Sequence, residues 1–242
     1  MKPSLIFLPG MGCNERVFAH QVQHLSDIAD TRVLAWDQQA SREEMLTTLT
    51  QSAPPQCDLV GHSMGGWVAI AAAALHPERI RTLTLMGTWV DFPPSLLDTL
   101  HAHLSPASHP PNAIYQEMRQ MLYAPRQRER SLLKTLYTLI HPSQQTILSQ
   151  ITALLSDPSN RSHLPHIRCP TLVVHGREDP FFSLEEHECI AKSIQGPSCC
   201  TVIEECGHIL PVERPQAVTA LLRLWLQHRD PNTGRSCSAQ PA

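Results

Sequence analysis

Ser63 lies at the centre of Gly61-His62-Ser63-Met64-Gly65-Gly66, a Gly-x-Ser-x-Gly pattern. A serine hydroxyl is a poor nucleophile at neutral pH. It needs a histidine to take its proton and a carboxylate to orient that histidine. Both partner types follow in the order expected for a serine on a strand-to-helix turn: Asp179, three residues after Gly176, and His208, directly after Gly207. The chemistry of such a set is acyl transfer. Two backbone amides must also face the developing alkoxide. Met64, the residue after the nucleophile, is expected to supply one. Met11, in the loop Leu8-Pro9-Gly10-Met11-Gly12, is expected to supply the other. By composition alone a Gly-x-Ser-x-Gly pattern arises in roughly one chain in ten of this length, so its weight comes from its surroundings.

Those surroundings read as a nucleophile elbow. The apolar run Cys57-Asp58-Leu59-Val60 precedes the motif and an alanine-rich stretch, 68–74, follows it. Strand, sharp turn and helix in that order strain the serine backbone and leave no room for a side chain at Gly61 or Gly65. Cys169-Pro170-Thr171-Leu172-Val173-Val174-His175-Gly176 reads as a buried strand ending just before Asp179. Thr201-Val202-Ile203 reads as the strand before the His208 loop. Pro215 is a favourable first helical residue, and Val218, Leu221, Leu222 and Trp225 then recur at helical spacing. Upstream, the pattern predicts strand 4–8, helix 16–25, strand 31–36, helix 41–51, strand 57–60, helix 64–75 and strand 80–86. Ser41 with Glu44 forms a capping box. Strands alternating with helices imply an α/β fold with a doubly wound, mostly parallel sheet, and ligands at the carboxyl ends of its strands.

From Thr88 to about Pro165 the alternation stops. Helical spacing appears in pieces: Leu96, Leu97, Leu100; Ile114, Met118, Met121; Leu132, Leu133, Leu136; and Ile147, Leu148, Ile151, Leu154. Proline-rich breaks separate them. Residues 230–242 read as a disordered tail.

With these motifs in view, the chain resembles the α/β-hydrolase superfamily from Ser4 to about His228. The likeness is to compact bacterial hydrolases with a Pro-Gly oxyanion loop, a Gly-x-Ser-Met-Gly-Gly elbow, a Gly-Arg-x-Asp acid loop and a Cys-Gly-His base loop. The resemblance implies a core of 1–88 and 166–228 and a helical lid, 89–165, inserted after the sixth strand position. Superfamily members usually carry two strands before the oxyanion loop. Few residues precede Leu5, so the sheet is expected to be trimmed at that edge, with Met1 open to being an internal start. Some relatives place the acid after the strand at 80–86, which makes Asp91 the rival of Asp179; the spacing Gly176-x-x-Asp179 favours Asp179. Trp89 is read either as pocket lining or as core packing.

A net charge of −3 gives no hint of nucleic-acid affinity, and no apolar stretch approaches the roughly 20 residues that span a bilayer. The apolar start is too short for a signal peptide and leads straight into the oxyanion loop, so a cytoplasmic location is expected. Eight cysteines in such a chain read as reduced packing residues, with Cys13 and Cys206 near the pocket and no metal-ligand spacing. No metal or cofactor is expected. Among fourteen histidines, His62 reads as packing, and Glu178, Glu204 and Glu205 as solvated. Arg119, Arg126, Arg128, Arg130 and Lys134 form a basic cluster in the lid. It reads as a solvated helix face or as a landing site for an acyl carrier protein, as in the pimeloyl-carrier methyl ester esterases that the resemblance brings in.

The expected function is therefore hydrolysis of a small-to-medium carboxylic ester by Ser63, His208 and Asp179. Thioester or carrier-bound methyl ester hydrolysis, and lactone or carbon–carbon bond hydrolysis, share the same constellation. Haloalkane dehalogenase and epoxide hydrolase chemistry is excluded, because both need an aspartate where Ser63 stands. A ligand-binding receptor on the same fold is the non-enzyme alternative.

Overall fold

The computed structural model describes residues 2–104, 138–139 and 143–228. Six parallel strands form one sheet: β1 (Ser4–Leu8), β2 (Asp30–Val33), β3 (Cys57–His62), β4 (Ile80–Met86), β5 (Thr171–Gly176) and β6 (Ser198–Ile203), in the order β2-β1-β3-β4-β5-β6. Helices α1 (Ala19–Leu25), α2 (Arg42–Ser52) and α3 (Met64–Leu75) connect the first four strands. The inserted segment contributes α4 (Pro94–Leu104) and α5 (Gln144–Ser156), and α6 (Leu184–Ser193) joins β5 to β6. The chain then closes with α7 (Leu210–Glu213) and α8 (Pro215–His228). Every residue of β3 and β5 is buried, as strands covered on both faces require. β2 is the edge strand beside β1 among the described residues. Pairing of Leu8 with Gly61, His62 with Met86 and Gly176 with Ile203 aligns the strand ends, so the loops that follow share one edge.

The predicted elements fall where expected for strand 4–8, helix 64–75 and strand 80–86. Three differ. Residues 15–18 form a 3₁₀ turn capped by Asn14, and the α-helix begins only at Ala19. The strand expected at 31–36 stops at Val33, because Trp36 turns away to give its carbonyl to Gln150. Ser198-Cys199-Cys200 extends β6 beyond its apolar part, on a half-exposed edge where strand pairing rather than burial recruits it. At α2, Ser41 accepts the Glu44 N–H at 3.1 Å, while the Glu44 carboxylate reaches past the cap to the Ala40 N–H.

Arg42 fastens the chain's return from the inserted segment. Its side chain is buried, lies 4.2 Å over the Trp67 ring, and donates to the carbonyls of Asp157 and Ser159 at 2.7 and 2.8 Å. Burial lowers its pKa to about 10 against the opposing pull of Asp157. The indoles of Trp67 and Trp89 donate to the Asp157 and Pro158 carbonyls. This irregular, partly exposed stretch thereby has its carbonyls satisfied by buried side chains. The helical pieces around Leu96 and Ile147 are α4 and α5. Those around Ile114 and Leu132, the basic cluster Arg119, Arg126, Arg128, Arg130 and Lys134, and the tail lie outside the described residues.

Candidate active site

The elbow is built by close approach. A Cβ on Gly65 would collide with the Leu8 carbonyl, and one on Gly61 would lie 2.5 Å from the Gly65 oxygen. Ser63 between them has φ 53° and ψ −119°, a conformation costing a non-glycine residue about 1–3 kcal/mol. The Ser63 N–H donates to Met86 and its carbonyl accepts from Gly66 and Trp67, so the sheet and the first turn of α3 impose the strain together.

Asp179 and His208 come together from the loops after β5 and β6. The His208 Nδ1–H donates to Asp179 Oδ2 at 2.9 Å, with side-chain exposures of 5% and 0%. Asp179 Oδ1 accepts the Phe181 N–H at 2.9 Å and the Phe182 N–H at 3.3 Å. Burial pushes the Asp179 carboxyl up, but the charge and hydrogen bond of His208 and the Phe181 amide outweigh it and hold it below its ordinary value. An ionised, acceptor-only carboxylate fixes the proton of His208 on Nδ1 and leaves Nε2 as a lone pair. Phe181 packs edge-on against His208, with ring centroids 4.8 Å apart. The rival acid, Asp91, is engaged elsewhere, by the Ser159 hydroxyl at 2.6 Å and by Arg161.

Two further residues hold the base loop, and sequence reasoning passed over one of them. Glu213 on α7 accepts the N–H groups of Gly207 and Ile209, both at 2.8 Å, bracketing His208. The signal was a glutamate five residues past the histidine and two before the helix-opening Pro215. His62 Nε2–H donates to the His208 carbonyl at 2.8 Å. Burial first, then the charge of His208, lowers the His62 pKa to about 3, so it is a neutral packing side chain.

The loop expected to carry one oxyanion amide contains Gly10, Met11 and Gly12. Gly10 lies against the elbow, since a Cβ there would sit 3.0 Å from the Ser63 Cβ. The Met11 and Met64 amides donate to no acceptor among the described residues, and Met64 opens α3, where the helix leaves its first N–H groups unpaired. Trp89 is fully buried, with its ring stacked on Phe182 at 5.3 Å; it packs behind the acid loop. Cys13 and Cys206 are buried neutral thiols, and burial pushes Cys13 up to about 12. Glu204 and Glu205 are exposed in ion pairs with Arg177 and Arg214. Glu178, expected to be solvated, is half-buried with one carboxylate oxygen shielded. The described residues contain no His/Cys/Asp/Glu group able to hold a metal ion, and no helix among them is long and apolar enough to cross a membrane.

A family model for the alpha/beta hydrolase family matches residues 5–221. Pimeloyl-[acyl-carrier protein] methyl ester esterase of Vibrio vulnificus is 26% identical over 79% of this chain and 82% of its own. 2-Hydroxymuconate semialdehyde hydrolase of Pseudomonas putida is 28% identical over 72% of this chain and 64% of its own. In fold, the chain is similar to a thermophilic esterase from Thermogutta terrifontis. That similarity has a TM-score of 0.79 and 23% identity, covering 95% of this chain and 91% of the other.

Proposed function

This chain belongs to the alpha/beta hydrolase family and is a hydrolase; on that footing we propose that it cleaves a small-to-medium carboxylic ester through an acyl-enzyme on Ser63. The observation that carries the reading is the buried 2.9 Å bond from His208 to Asp179, at the same sheet edge as a strained elbow serine. His208 Nε2 takes the Ser63 proton as Oγ attacks the ester carbonyl. The Met11 and Met64 amides receive the negative charge that forms on the carbonyl oxygen. The tetrahedral centre collapses, the bond to the alcohol breaks, and His208 returns its proton to the departing oxygen. Water, deprotonated by the same nitrogen, then releases the acid and restores Ser63. Asp179 keeps the His208 ring in the productive tautomer throughout. The scheme requires no metal or cofactor. Residues 89–165 act as the lid over a core formed by 1–88 and 166–228.

Turnover of p-nitrophenyl esters from acetyl to dodecanoyl, with Ser63→Ala as control, tests this. A peak at short to medium chains that vanishes in the variant is expected. Turnover that survives Ser63→Ala would sink the reading. A second reading is favoured by the Vibrio vulnificus relative, whose substrate is a methyl ester on an acyl carrier protein. In that case the carrier-bound methyl ester would be cleaved far faster than the free p-nitrophenyl series, and the basic lid cluster would receive the carrier. A receptor on the same fold would bind esters without turnover and leave Ser63 unlabelled by a fluorophosphonate.

A further inference from the structure

Gln150 is a polar side chain placed where water cannot serve it. It lies on α5 in the inserted segment and is 1% exposed. Both ends of its carboxamide are used. Oε1 accepts the Gly12 N–H at 2.8 Å, and Nε2 donates to the Trp36 carbonyl at 3.0 Å. The two partners sit in the loops after β1 and after β2. One offers a donor and the other an acceptor, so only an amide of this length and orientation satisfies both.

The Gly12 N–H is a consequential group to hold. The Cys13 N–H donates to the Gly10 carbonyl at 3.1 Å, closing a four-residue turn, and Gly12 has φ 71°. Positive φ at the third position marks a turn whose central peptide, Met11 to Gly12, is flipped relative to the commoner type. That flipped peptide carries the N–H bound by Gln150, and Met11 shares it. Pinning the peptide therefore fixes the Met11 backbone on one side of its own amide. The far end of the loop is tied to the same segment: the Asn14 N–H donates to the Leu139 carbonyl and its side chain to the Thr138 carbonyl, both at 2.9 Å. Thr146 on α5 donates to Asp37 at 2.8 Å.

We propose that Gln150 is a positioning residue for the oxyanion hole: by pinning the Met11–Gly12 peptide it aims the Met11 amide at the substrate oxygen and makes turnover conditional on α5 being docked. This rests on the serine acyl-transfer reading above.

Gln150→Met and Gln150→Glu test it in the full chain. For Gln150→Met, kcat on a p-nitrophenyl ester should fall about 30-fold, less than outright deletion of an oxyanion donor costs. KM should stay within about twofold, because the lost interaction belongs to the transition state. Affinity for an alkyl boronic acid should fall by about the same factor as kcat. Hydrogen exchange at the Gly12 amide should quicken by at least about tenfold. Gln150→Glu keeps an oxygen toward Gly12 but sets a carboxylate against the Trp36 carbonyl until it is protonated, so its kcat relative to wild type should rise as pH falls. A Gln150→Met enzyme that loses thermal stability but keeps wild-type kcat and boronate affinity overturns the proposal. Turnover that survives Ser63→Ala marks failure of the serine reading instead, a result distinct from a Ser63-dependent enzyme indifferent to Gln150.

Discussion

The loop bearing His208, the proposed base, is tied down by elements of the core, whereas the loop bearing Met11, the proposed oxyanion loop, is tied to the inserted segment. Asp179, Glu213 and His62 bind the His208 ring, its flanking amides and its carbonyl from three directions, all from residues adjacent to the sheet's carboxyl edge. On the other side, Gly12 and Asn14 hand their N–H groups to Gln150 and Leu139. On the proposed assignment, the proton-transfer groups are preorganised with the core, and charge stabilisation is coupled to the segment that the resemblance implies is the lid. A fold that keeps its chemistry constant and varies its substrates gains from this division: the insert can change while the base side stays put.

Four changes would break or sharpen that contrast. The largest effect is expected from Asp179→Asn, which keeps the shape of the pair but stabilises the wrong His208 tautomer; kcat should fall about 10⁴-fold in steady-state assays. Gln150→Met comes next, through the oxyanion loop alone, with the roughly 30-fold loss in kcat given above. Glu213→Gln should be milder in rate, about tenfold, because His62 still holds the loop and one of the two N–H partners is retained. It leaves one buried N–H facing an amide NH₂, so it should cost about 1–3 kcal/mol of stability, read as a lower urea midpoint. If Glu213→Gln lowered kcat more than Gln150→Met, the contrast between the two loops would be reversed.

The smallest effect near neutrality concerns pH. Burial lowers the pKa of His62 to about 3 and that of His187 to about 4. Each is 6.5 in the unfolded chain, which therefore binds protons that the folded chain refuses. The stability from keeping them neutral is full above about pH 6.5 and is lost as pH falls toward 3–4. Asp179, held below its ordinary value, adds loss in the same direction at still lower pH. Urea midpoints measured from pH 7 to 4 should fall continuously, and His62→Gln should flatten the slope. A flat wild-type profile would contradict the buried, neutral His62 on which the base loop leans.

The same contrast explains what was legible in the sequence. The elbow could be read because its constraints are local: Gly61, Ser63 and Gly65 lie within five residues, and their steric reason is visible in the spacing. β5 and α3 could be read because a covered strand and a buried helix need apolar runs, and β3 and β4 because their leucines, valine and threonines favour strand between turn signals. Asp179 and His208 followed from strand ends and glycines. Gln150 could not be read: it bonds Gly12 across 138 positions, and nothing near it distinguishes an inward glutamine from a solvated one. Arg42 was hidden for the same reason, since its partners at 157–160 lie over a hundred residues away and an arginine in a helix's first turn reads as surface. Glu213 was within local reach but looked like an ordinary helix-start acid, and only the fold turns it toward Gly207 and Ile209.

The most direct test of the central claim is mass-spectrometric mapping of a fluorophosphonate adduct on the full chain. We expect one stoichiometric adduct, on the peptide containing Ser63, absent in Ser63→Ala and formed far more slowly in His208→Ala. An unlabelled wild-type protein, or an adduct on another residue, would contradict the assignment of Ser63 as the nucleophile.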